Sequence, residues 1–355
     1  MIRHKNGIMP FKTLGELFKN APQLELDAHT PLLVLSDLHM GNGKHQDDFR
    51  HNGALLVEAL ADYYWPKGYT LVLNGDIEEL LRNERSAIMA AWAPLYELFT
   101  RFHEAGRLVW LRGNHEIVPA QEEEDPRYYP AEGVRFTWQG KNLFIFHGHQ
   151  AGWVNSGRYN RVIGFVLRVF ANKLGIGNSS VAHDSAKRFK LEKKVYDFSK
   201  QEGIISIIGH THRPLFESLS KAESLGYQIE KMCREYARAK NGKRELIEST
   251  IGRMKRDYLK KPSHKSHRLV DNLYGEILVP CLFNAGCAIG KSGVTSLEIK
   301  KGRISLVYWS NKDRSRRFME FNEYKPATML AGGTWRFILR REDLHYLFSR
   351  IELLK

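Results

Sequence analysis

The 355-residue sequence has few cysteines and no long apolar run. Cys233, Cys281 and Cys287 are too few and too unevenly spaced for a disulfide framework or a zinc knuckle, which predicts a reducing, cytoplasmic environment. No stretch approaches the ~20 apolar residues that cross a bilayer, and no apolar segment follows the charges at the N-terminus. The sequence therefore predicts neither a transmembrane helix nor a signal peptide. A hydrophobic fraction of 43% excludes a disordered chain.

The sequence also has fewer acidic than basic residues. It contains 54 Lys and Arg but only 40 Asp and Glu, which gives a net charge of +14. This charge predicts attraction to something anionic, whether phosphate, nucleic acid or a membrane surface. Half of it lies in residues 217–270, which carry 14 Lys and Arg and 7 Asp and Glu. A solvated helical hairpin with surplus charge explains this stretch as readily as a binding surface does.

Short apolar runs alternate with helical patterns in the first part of the chain. The predicted strands and helices are, in order, 31–36 (strand), 46–65 (helix), 70–73 (strand), 84–105 (helix) and 107–111 (strand). This βαβαβ order predicts parallel strands with helices packed on them. A hairpin follows at 134–146, then a strand at 204–208, a β-meander over 276–309, and a β-turn and closing helix after Ala331. The whole predicts two packed sheets with outer helices.

Polar residues gather at the C-terminal ends of five predicted strands, where open α/β sheets bind their ligands. The five motifs are Asp37-Leu38-His39, Gly75-Asp76-Ile77-Glu78-Glu79, Arg112-Gly113-Asn114-His115-Glu116, His147-Gly148-His149 and Gly209-His210-Thr211-His212. Alone, a Gly-Asn-His-Glu segment could cap a helix, and His147 or His149 could be an ordinary loop histidine. Five such motifs in order, each after a strand, are not explained by packing.

Imidazole and carboxylate groups without a thiolate suit divalent Mn, Zn, Fe, Co or Ni. The motifs offer more ligands than one ion can use, whereas two ions that share a carboxylate would use them all. Two-metal centres are typical of phosphate-ester hydrolysis.

The five motifs, in this order, resemble the calcineurin-like metallophosphoesterase superfamily, whose motifs read D-x-H, G-D-x-x-D/E, G-N-H-D/E, H near a Gly, and G-H-T-H. The resemblance covers roughly residues 30–310. It implies an α/β fold, a four-layer α/β/β/α sandwich with the metals at one sheet edge. Two segments inside this range depart from the family pattern, a helical cap insert (150–202) and a basic helical insert (217–270). Outside it lie an N-terminal extension (1–30) and a C-terminal extension packed on the domain (311–355).

The resemblance also implies a metal-dependent phosphoric ester hydrolase, in which a hydroxide that bridges two ions and is held at Asp76 attacks phosphorus. Mn²⁺ is the first expectation, with Zn, Fe, Ni or Co as alternatives. The implied metal ligands are Asp37, His39 and His212 for one ion, Asn114, His147 and His210 for the other, and Asp76 as the bridge. His115 would polarise the phosphoryl group or protonate the leaving oxygen.

Five further residues receive supporting roles from the resemblance. Glu79 and Glu116 are expected to orient ligand imidazoles. His149 is expected either to face the substrate or to support a ligand. Arg112 and Arg213 flank the motifs and are candidates for meeting phosphate charge, although flanking arginines are as often surface residues.

The substrate class stays open between a phosphomonoester and a phosphodiester. Gly209 to Pro214 and the helical segment after His147 resemble the UDP-diacylglucosamine hydrolases of lipid A synthesis, which cleave a pyrophosphate in a lipid-linked sugar nucleotide. Those enzymes have Arg where this chain has His115, and Gly-Asp-x-Phe where it has Gly-Asp-Ile-Glu. His115 instead favours a general phosphatase or phosphodiesterase, with the lipid-linked pyrophosphate or a nucleic-acid phosphodiester as alternatives.

Two basic segments suggest a partner beyond the substrate. Residues 161–173 have the pattern of a basic amphipathic helix, so this segment and 217–270 predict peripheral contact with an anionic membrane. Nucleic acid is the weaker alternative, because few aromatic residues accompany the charges. A catalytically inactive interaction scaffold is a further alternative, disfavoured because none of the five motifs is damaged.

Overall fold

The computed structural model describes residues 13–26, 30–116, 131–155, 185–219, 242–259, 278–289, 293–311 and 327–355, with isolated positions between 229 and 239. Its strands, in chain order, are β1 (Gln23–Glu25), β2 (Leu32–Leu35), β3 (Thr70–Asn74), β4 (Leu108–Leu111), β5 (Gly133–Trp138), β6 (Lys141–Phe146), β7 (Ile205–Ile208), β8 (Leu282–Asn284), β9 (Val294–Lys300), β10 (Arg303–Ser310), β11 (Thr328–Met329) and β12 (Trp335–Asp343). Its α-helices are α1 (Leu14–Asn20), α2 (Gly53–Glu58), α3 (Arg85–Ala91), α4 (Ala93–Glu104), α5 (Ser185–Glu202), α6 (Gly242–Leu259) and α7 (Leu344–Leu354).

The strands form two sheets. The first has seven strands in the order β11-β12-β10-β9-β2-β3-β4, and the second has five in the order β1-β5-β6-β7-β8. Strands β2, β3 and β4 are mutually parallel, as are β6, β7 and β8. Every residue of β2 and β7 is buried, which explains why these strands appear in the sequence as continuous apolar runs rather than alternating ones.

Three apolar cores hold the sheets and helices together. The central core lies between the sheets and joins Val34 and Val72 of the first to Ile145 and Ile207 of the second. The second core covers the outer face of the first sheet with α2 and α4, and the third covers the outer face of the second sheet with α1 and α5. The resulting mixed α/β sandwich confirms the predicted fold class.

Helix boundaries differ in detail from the sequence prediction. The helix expected over 46–65 is divided into a 3₁₀ turn (Asp48–His51), α2 and a π-helical turn (Ala59–Tyr64). The helix expected over 84–105 is divided at Trp92 into α3 and α4. Pro94 lies in the first turn of α4, where backbone N–H groups have no partner within the helix, so proline is accommodated at the start of a new helix but not inside a continuous one.

The strands near the C-terminus differ from the sequence prediction in two ways. The meander was expected to begin before residue 283, but β8 belongs to the second sheet, where it pairs in parallel with β7. The predicted turn and closing helix of the tail are present, at 331–333 and in α7, but between them lies β12, which the sequence does not predict and which pairs along β10. The charged residues of β12 interrupt the apolar pattern by which a strand is predicted from sequence. One of them, Arg336, forms an ion pair with buried Glu298.

The described part of each insert contains one long helix, α5 in the first and α6 in the second. The segment 161–173, on which the prediction of a basic amphipathic helix rests, lies outside the described residues, as does most of 217–241 and all of 260–277. Both ends of the chain contribute strands to the sandwich, because β1 pairs with β5 and β12 pairs with β10. Among the described helices, none is both long and apolar enough to span a membrane.

Candidate metal centre

The loops after β2, β3, β4, β6 and β7 carry the five sequence motifs to one edge of the sandwich. Three of these strands are neighbours in the first sheet and two are neighbours in the second. Because the strands within each set are parallel, their carboxyl ends meet. The loops therefore bring Asp, His and Asn side chains from both sheets into one cluster.

The backbone of these loops adopts an unusual conformation. Positive φ angles occur at Asp37 (54°), His39 (48°), Asp76 (51°), His210 (62°) and His212 (52°), five of the nine such non-glycine residues in the described part of the chain. Each left-handed residue costs of order 1–3 kcal/mol, and such strain concentrates at functional sites. The fold therefore maintains a costly backbone at the positions where the candidate ligands lie.

Two glycines permit the loops to approach each other. A Cβ atom at Gly113 would clash with the backbone N and carboxylate of Asp76, and one at Gly209 would clash with the hydroxyl of Ser36 and the carboxylate of Asp37. At these two positions a residue without a side chain is therefore needed for the loops to come this close.

Asp37, His39 and His212 form the first group of candidate ligands. The Nε2 atom of His212 lies 3.1 Å from Oδ1 of Asp37 and 3.2 Å from Nε2 of His39. All three side chains present their coordinating atoms to the same small volume. The set matches the one that the sequence motifs imply for one ion.

Asp76, His147 and His210 form the second group. The Nε2 atom of His147 lies 3.1 Å from Oδ2 of Asp76, and the rings of His147 and His210 are 5.1 Å apart. Asn114 follows β4, and its Oδ1 atom is buried without a hydrogen-bond partner among the described residues. A carboxamide oxygen in this state is available to an ion.

Asp76 connects the two groups. Its Oδ2 atom is 3.1 Å from Nε2 of His147 in the second group and 3.8 Å from Nε2 of His39 in the first. Its Oδ1 atom accepts a hydrogen bond from the backbone N–H of His115 at 2.8 Å, which fixes the orientation of the carboxylate. The side chain is 1% exposed and thus held between both sets of ligands.

Further hydrogen bonds orient the candidate ligands. Glu79 bridges two imidazoles, with its oxygens 3.0 Å from Nδ1 of His39 and 2.9 Å from Nδ1 of His115. The Nδ1 atom of His147 lies 2.8 Å from the carbonyl oxygen of Asn74. In each case the contact at Nδ1 leaves Nε2 to face the cluster.

Within the described part of the chain, Glu116 bonds to backbone N–H groups and not to an imidazole, contrary to the sequence expectation. Its carboxylate accepts hydrogen bonds from the backbone N–H groups of Ile77 (2.8 Å), Glu78 (3.2 Å) and Gly113 (2.8 Å). Its position immediately after His115 turns it toward the backbone of two loops rather than toward a ligand ring. Glu116 therefore joins the loop after β3 to the loop after β4.

The two flanking arginines are both paired with carboxylates. Arg112 lies 3.8 Å from Glu132, and Arg213 forms an ion pair with Glu192 of α5. His149 is buried next to His147 and His210, at ring distances of 5.4 and 6.2 Å. Of these three residues, His149 is thus the one placed directly against the ligand cluster.

Several residues that support the candidate ligands lie outside the five sequence motifs. Ser36 donates to Oδ2 of Asp37 at 2.5 Å, and Asn284 of β8 donates to the carbonyl of Gly209 at 2.9 Å. Ser36 directly precedes a motif, so its position was an available signal. Asn284 and Glu192 lie far from the motifs in sequence, and nothing local marks them.

Charge within the cluster shifts several pKa values strongly. Burial raises the pKa of Asp76, but the imidazoles of His147 and His115 outweigh it and hold this pKa well below its ordinary value. Burial lowers the pKa of His147 and of His115, but the charge of Asp76 outweighs it and raises these pKa values to about 10 and about 9. Burial and the charge of His147 lower the pKa of His210 to about 3.

These residues fit divalent cations. The cluster combines carboxylates with imidazoles, the Nε2 atom of His147 faces Oδ2 of Asp76 at 3.1 Å, and Oδ1 of Asn114 is buried with no hydrogen bond from the described residues. Neutral imidazoles and ionised carboxylates are the forms that bind metal, and an ion would displace the proton that Asp76 stabilises on His147. Borderline divalent ions such as Mn, Fe, Co, Ni and Zn accept such a donor set.

Residues 30–233, more than half of the chain, match the family described as calcineurin-like phosphoesterase. The chain belongs to the calcineurin-like phosphoesterase family. This phosphoesterase is accordingly a metal-dependent hydrolase, as the motifs predicted. No curated protein sequence matches it.

Several solved structures are similar to this phosphoesterase, and three of them have the following identity, coverage and TM-score. The E. coli phosphoesterase Yfce shares 15% identity, over 78% of this chain and 91% of that chain, with a TM-score of 0.32. A conserved uncharacterized protein from Streptococcus pneumoniae, a predicted phosphoesterase, shares 12% identity over 87% and 97%, with a TM-score of 0.31. Vacuolar Protein Sorting 29 from Cryptosporidium parvum shares 11% identity over 80% and 92%, with a TM-score of 0.34.

Proposed function

We propose that this phosphoesterase hydrolyses a phosphomonoester or phosphodiester with two divalent ions held side by side at the edge of the sandwich. Asp37, His39 and His212 would hold one ion, and Asn114, His147 and His210 the other. The observation that carries the proposal is the position of Asp76, whose Oδ2 atom lies within 4 Å of imidazole nitrogens from both groups. A carboxylate so placed suits a bridge between two ions.

When bound, such ions would activate a water molecule and neutralise charge on the phosphoryl group. The protein supplies the geometry for this chemistry. Because Glu79 contacts Nδ1 of His115, Nε2 is the nitrogen left to donate a proton to a phosphoryl or leaving oxygen. That Nε2 atom lies 4.0 Å from Oδ2 of Asp76, at the edge of the ligand cluster. We therefore propose His115 as the residue that assists departure of the leaving group.

The proposal is tested by removing the bridge and one ligand. With bis-p-nitrophenyl phosphate and p-nitrophenyl phosphate in Mn²⁺, Asp76→Asn and His210→Ala should each lower kcat/KM by at least about 100-fold, the upper end of the effect of groups that only orient ligands. His103→Ala, an exposed histidine of α4, is the control and should retain activity. If either variant of the cluster keeps the activity of the unmodified protein, the proposed centre is wrong.

We propose Mn²⁺ as the preferred ion, with Zn, Fe, Ni and Co as competitors, because the donor set accepts all of them and availability decides among them. Metal analysis of the purified chain should give close to two ions per molecule. An activity screen across phosphomonoesters, phosphodiesters and nucleotide-sugar pyrophosphates would assign the substrate. Hydrolysis of the lipid-linked pyrophosphate alone would favour the resemblance to the lipid A enzymes, which rests on Gly209 to Pro214 and the helical segment after His147.

We also propose that the basic insert contacts an anionic membrane surface. In its described part, α6 buries Ile247 and Met254 and exposes Arg244, Lys255 and Arg256. Liposomes containing anionic lipid should sediment the full chain and release a variant that lacks residues 217–270. Equal sedimentation of both proteins would exclude the insert from membrane contact, and salt-sensitive retention of nucleic acid on a filter would favour the alternative partner.

A further inference from the structure

The loop that carries His210 and His212 requires support from outside itself. Both histidines have positive φ angles, 62° and 52°, which are unfavourable for residues with a side chain. The loop directly follows β7. Within it, the backbone N–H of His210 donates a hydrogen bond to Oδ2 of Asp37 at 2.9 Å. Such a backbone persists only where surrounding contacts determine it.

Glu192 of α5 supplies one of these contacts. Its carboxylate accepts a hydrogen bond from the hydroxyl of Thr211 at 2.8 Å, and it forms a two-point ion pair with Arg213. The two partners stand on either side of His212 in sequence. Glu192 is 4% exposed, so its charge is withdrawn from water and depends on these two partners.

Asn284 of β8 holds the same loop through a second set of bonds. Its side-chain amide donates to the hydroxyl oxygen of Thr211 and to the carbonyl of Gly209, each at 2.9 Å. The hydroxyl of Thr211 thus donates to Glu192 while it accepts from Asn284. With its donor and an acceptor position both used, the hydroxyl has one orientation, and the backbone between His210 and His212 is fixed with it.

The helix that carries Glu192 is itself firmly placed. Leu191 and Val195 of α5 pack into the core on the outer face of the second sheet, together with Phe146 and Ile208. The ammonium group of Lys194 donates to the carbonyl of Ala151, in the turn that follows His149. Helix α5 therefore contacts both loops that the second sheet contributes to the cluster.

From these contacts we infer that Glu192 is a positioning residue, which acts through Thr211 to hold His210 and His212 in the geometry that binds metal. The inference rests on the proposed function, because it assigns metal ligation to the two histidines. Glu192 itself does not touch the ligand cluster. Its removal should weaken metal binding while leaving the sandwich folded.

The test compares Glu192→Gln with Glu202→Gln, the same substitution at an exposed position of the same helix. Mn²⁺ and Zn²⁺ affinities are measured by competition with a chromophoric chelator, so that the result does not depend on turnover. Glu192→Gln should bind the more weakly bound of the two ions about 10–100-fold less tightly, because loss of a group that orients metal ligands usually has an effect of this size. Glu202→Gln should match the unmodified chain, and saturating Mn²⁺ should restore most of the kcat of Glu192→Gln.

A second pair of variants keeps the inference falsifiable if Glu192→Gln does not fold. Thr211→Val removes the hydroxyl at nearly constant volume and should weaken metal binding, whereas Thr211→Ser retains the hydroxyl and should not. In the folded double variant, the losses of metal affinity from Glu192→Gln and Thr211→Val should be less than additive, because both substitutions remove the same hydrogen bond between Thr211 and Glu192.

The outcomes separate this inference from the proposed function. If the unmodified chain binds no metal, the proposed function fails and the inference fails with it. If the unmodified chain binds two ions and both Glu192→Gln and Thr211→Val retain its affinity, only the positioning role of Glu192 is overturned.

Discussion

At the residue scale, the cluster depends on carboxylates that serve more than one neighbour. Glu79 holds both His39 and His115, one a candidate ligand and the other the proposed proton donor. Burial raises the pKa of Glu79, but its hydrogen bonds to the two imidazoles outweigh this and lower the pKa to about 2. Glu79 therefore remains ionised wherever the protein is folded under ordinary conditions, and both rings keep the same orienting partner.

Replacing Glu79 should affect metal binding and catalysis together. Glu79→Gln removes the charge and lets both rings rotate, so we expect metal affinity to fall about 10–100-fold and kcat to remain reduced even at saturating Mn²⁺. Chelator competition and steady-state kinetics provide the two measurements. Glu97→Gln, at an exposed position of α4, is the matched control. Full recovery of kcat by excess metal would show that Glu79 does not act on His115.

A thiol far from the cluster gives a pH-dependent prediction. Cys281 is fully buried, and burial raises the pKa of its thiol from 9.0 to about 12. The protonated thiol is thus favoured by folding, so its contribution to stability is complete below about pH 9 and is lost as the pH rises toward 12. At pH 8, iodoacetamide should label exposed Cys233 in the native protein and Cys281 only after unfolding by urea. Mass spectrometry of the peptides measures both, and equal labelling rates in the native state would contradict the burial.

At the element scale, β12 is held to the first sheet by a buried ion pair. Arg336 of β12 donates to both oxygens of Glu298 in β9, at 2.9 and 2.5 Å. Tyr64 also donates to Glu298 at 2.7 Å, and it accepts from the indole N–H of Trp309. These bonds fasten the C-terminal strand, the neighbouring strands and the π-helical turn to one another.

Breaking this pair should destabilise the fold without touching the cluster. Arg336→Met leaves the carboxylate of Glu298 buried without its cation, which typically costs about 3–5 kcal/mol of unfolding free energy. Adding Glu298→Gln to the same chain should restore part of the loss. Urea unfolding provides the measurement. Lys193→Met, which breaks an exposed pair with Asp197 on α5, should cost less than about 1 kcal/mol. Equal losses in the two single variants would show that β12 is not held by this pair.

The strands and helices also show which parts of the fold and of the site could be predicted from the sequence. The motifs were predictable because each directly follows an apolar strand, and parallel strands place such ends together. β12 was not predictable, because its arginines interrupt the apolar pattern and the carboxylates that neutralise them lie in distant segments. Glu192 and Asn284 were missed for the same reason, since their roles arise only from long-range contacts.

At the scale of the whole molecule, the net charge and the cluster are separate properties. The cluster lies at the edge where the two sheets meet, whereas half of the +14 charge lies in residues 217–270. The family membership and the ligand geometry depend on the sandwich, and the predicted membrane contact depends on the insert. Deleting the insert should therefore change partners without changing the ions bound.

Bound ions should stabilise the entire fold. Two carboxylates and four imidazoles from both sheets surround the site, and a ligand that binds only the folded state adds about 2.7 kcal/mol at 100 times its dissociation constant. Treatment with a chelator should therefore lower Tm by several degrees, and added Mn²⁺ should restore it, as measured by calorimetry. His210→Ala should show a smaller response to Mn²⁺. A Tm that is indifferent to both chelator and metal would argue against ions that join the sheets.

The order of the ligands along the chain has a consequence for biosynthesis. The first candidate ligand is Asp37 and the last is His212, and Glu192 and Asn284, which hold the final loop, are made late as well. The loops after β2, β3 and β4 are made early, but each group of candidate ligands includes a histidine of the loop after β7, so neither ion site is complete before β7 has joined the second sheet. Acquisition of the ions would then be a late step of folding, so that a truncated or misfolded chain is left without a working catalyst.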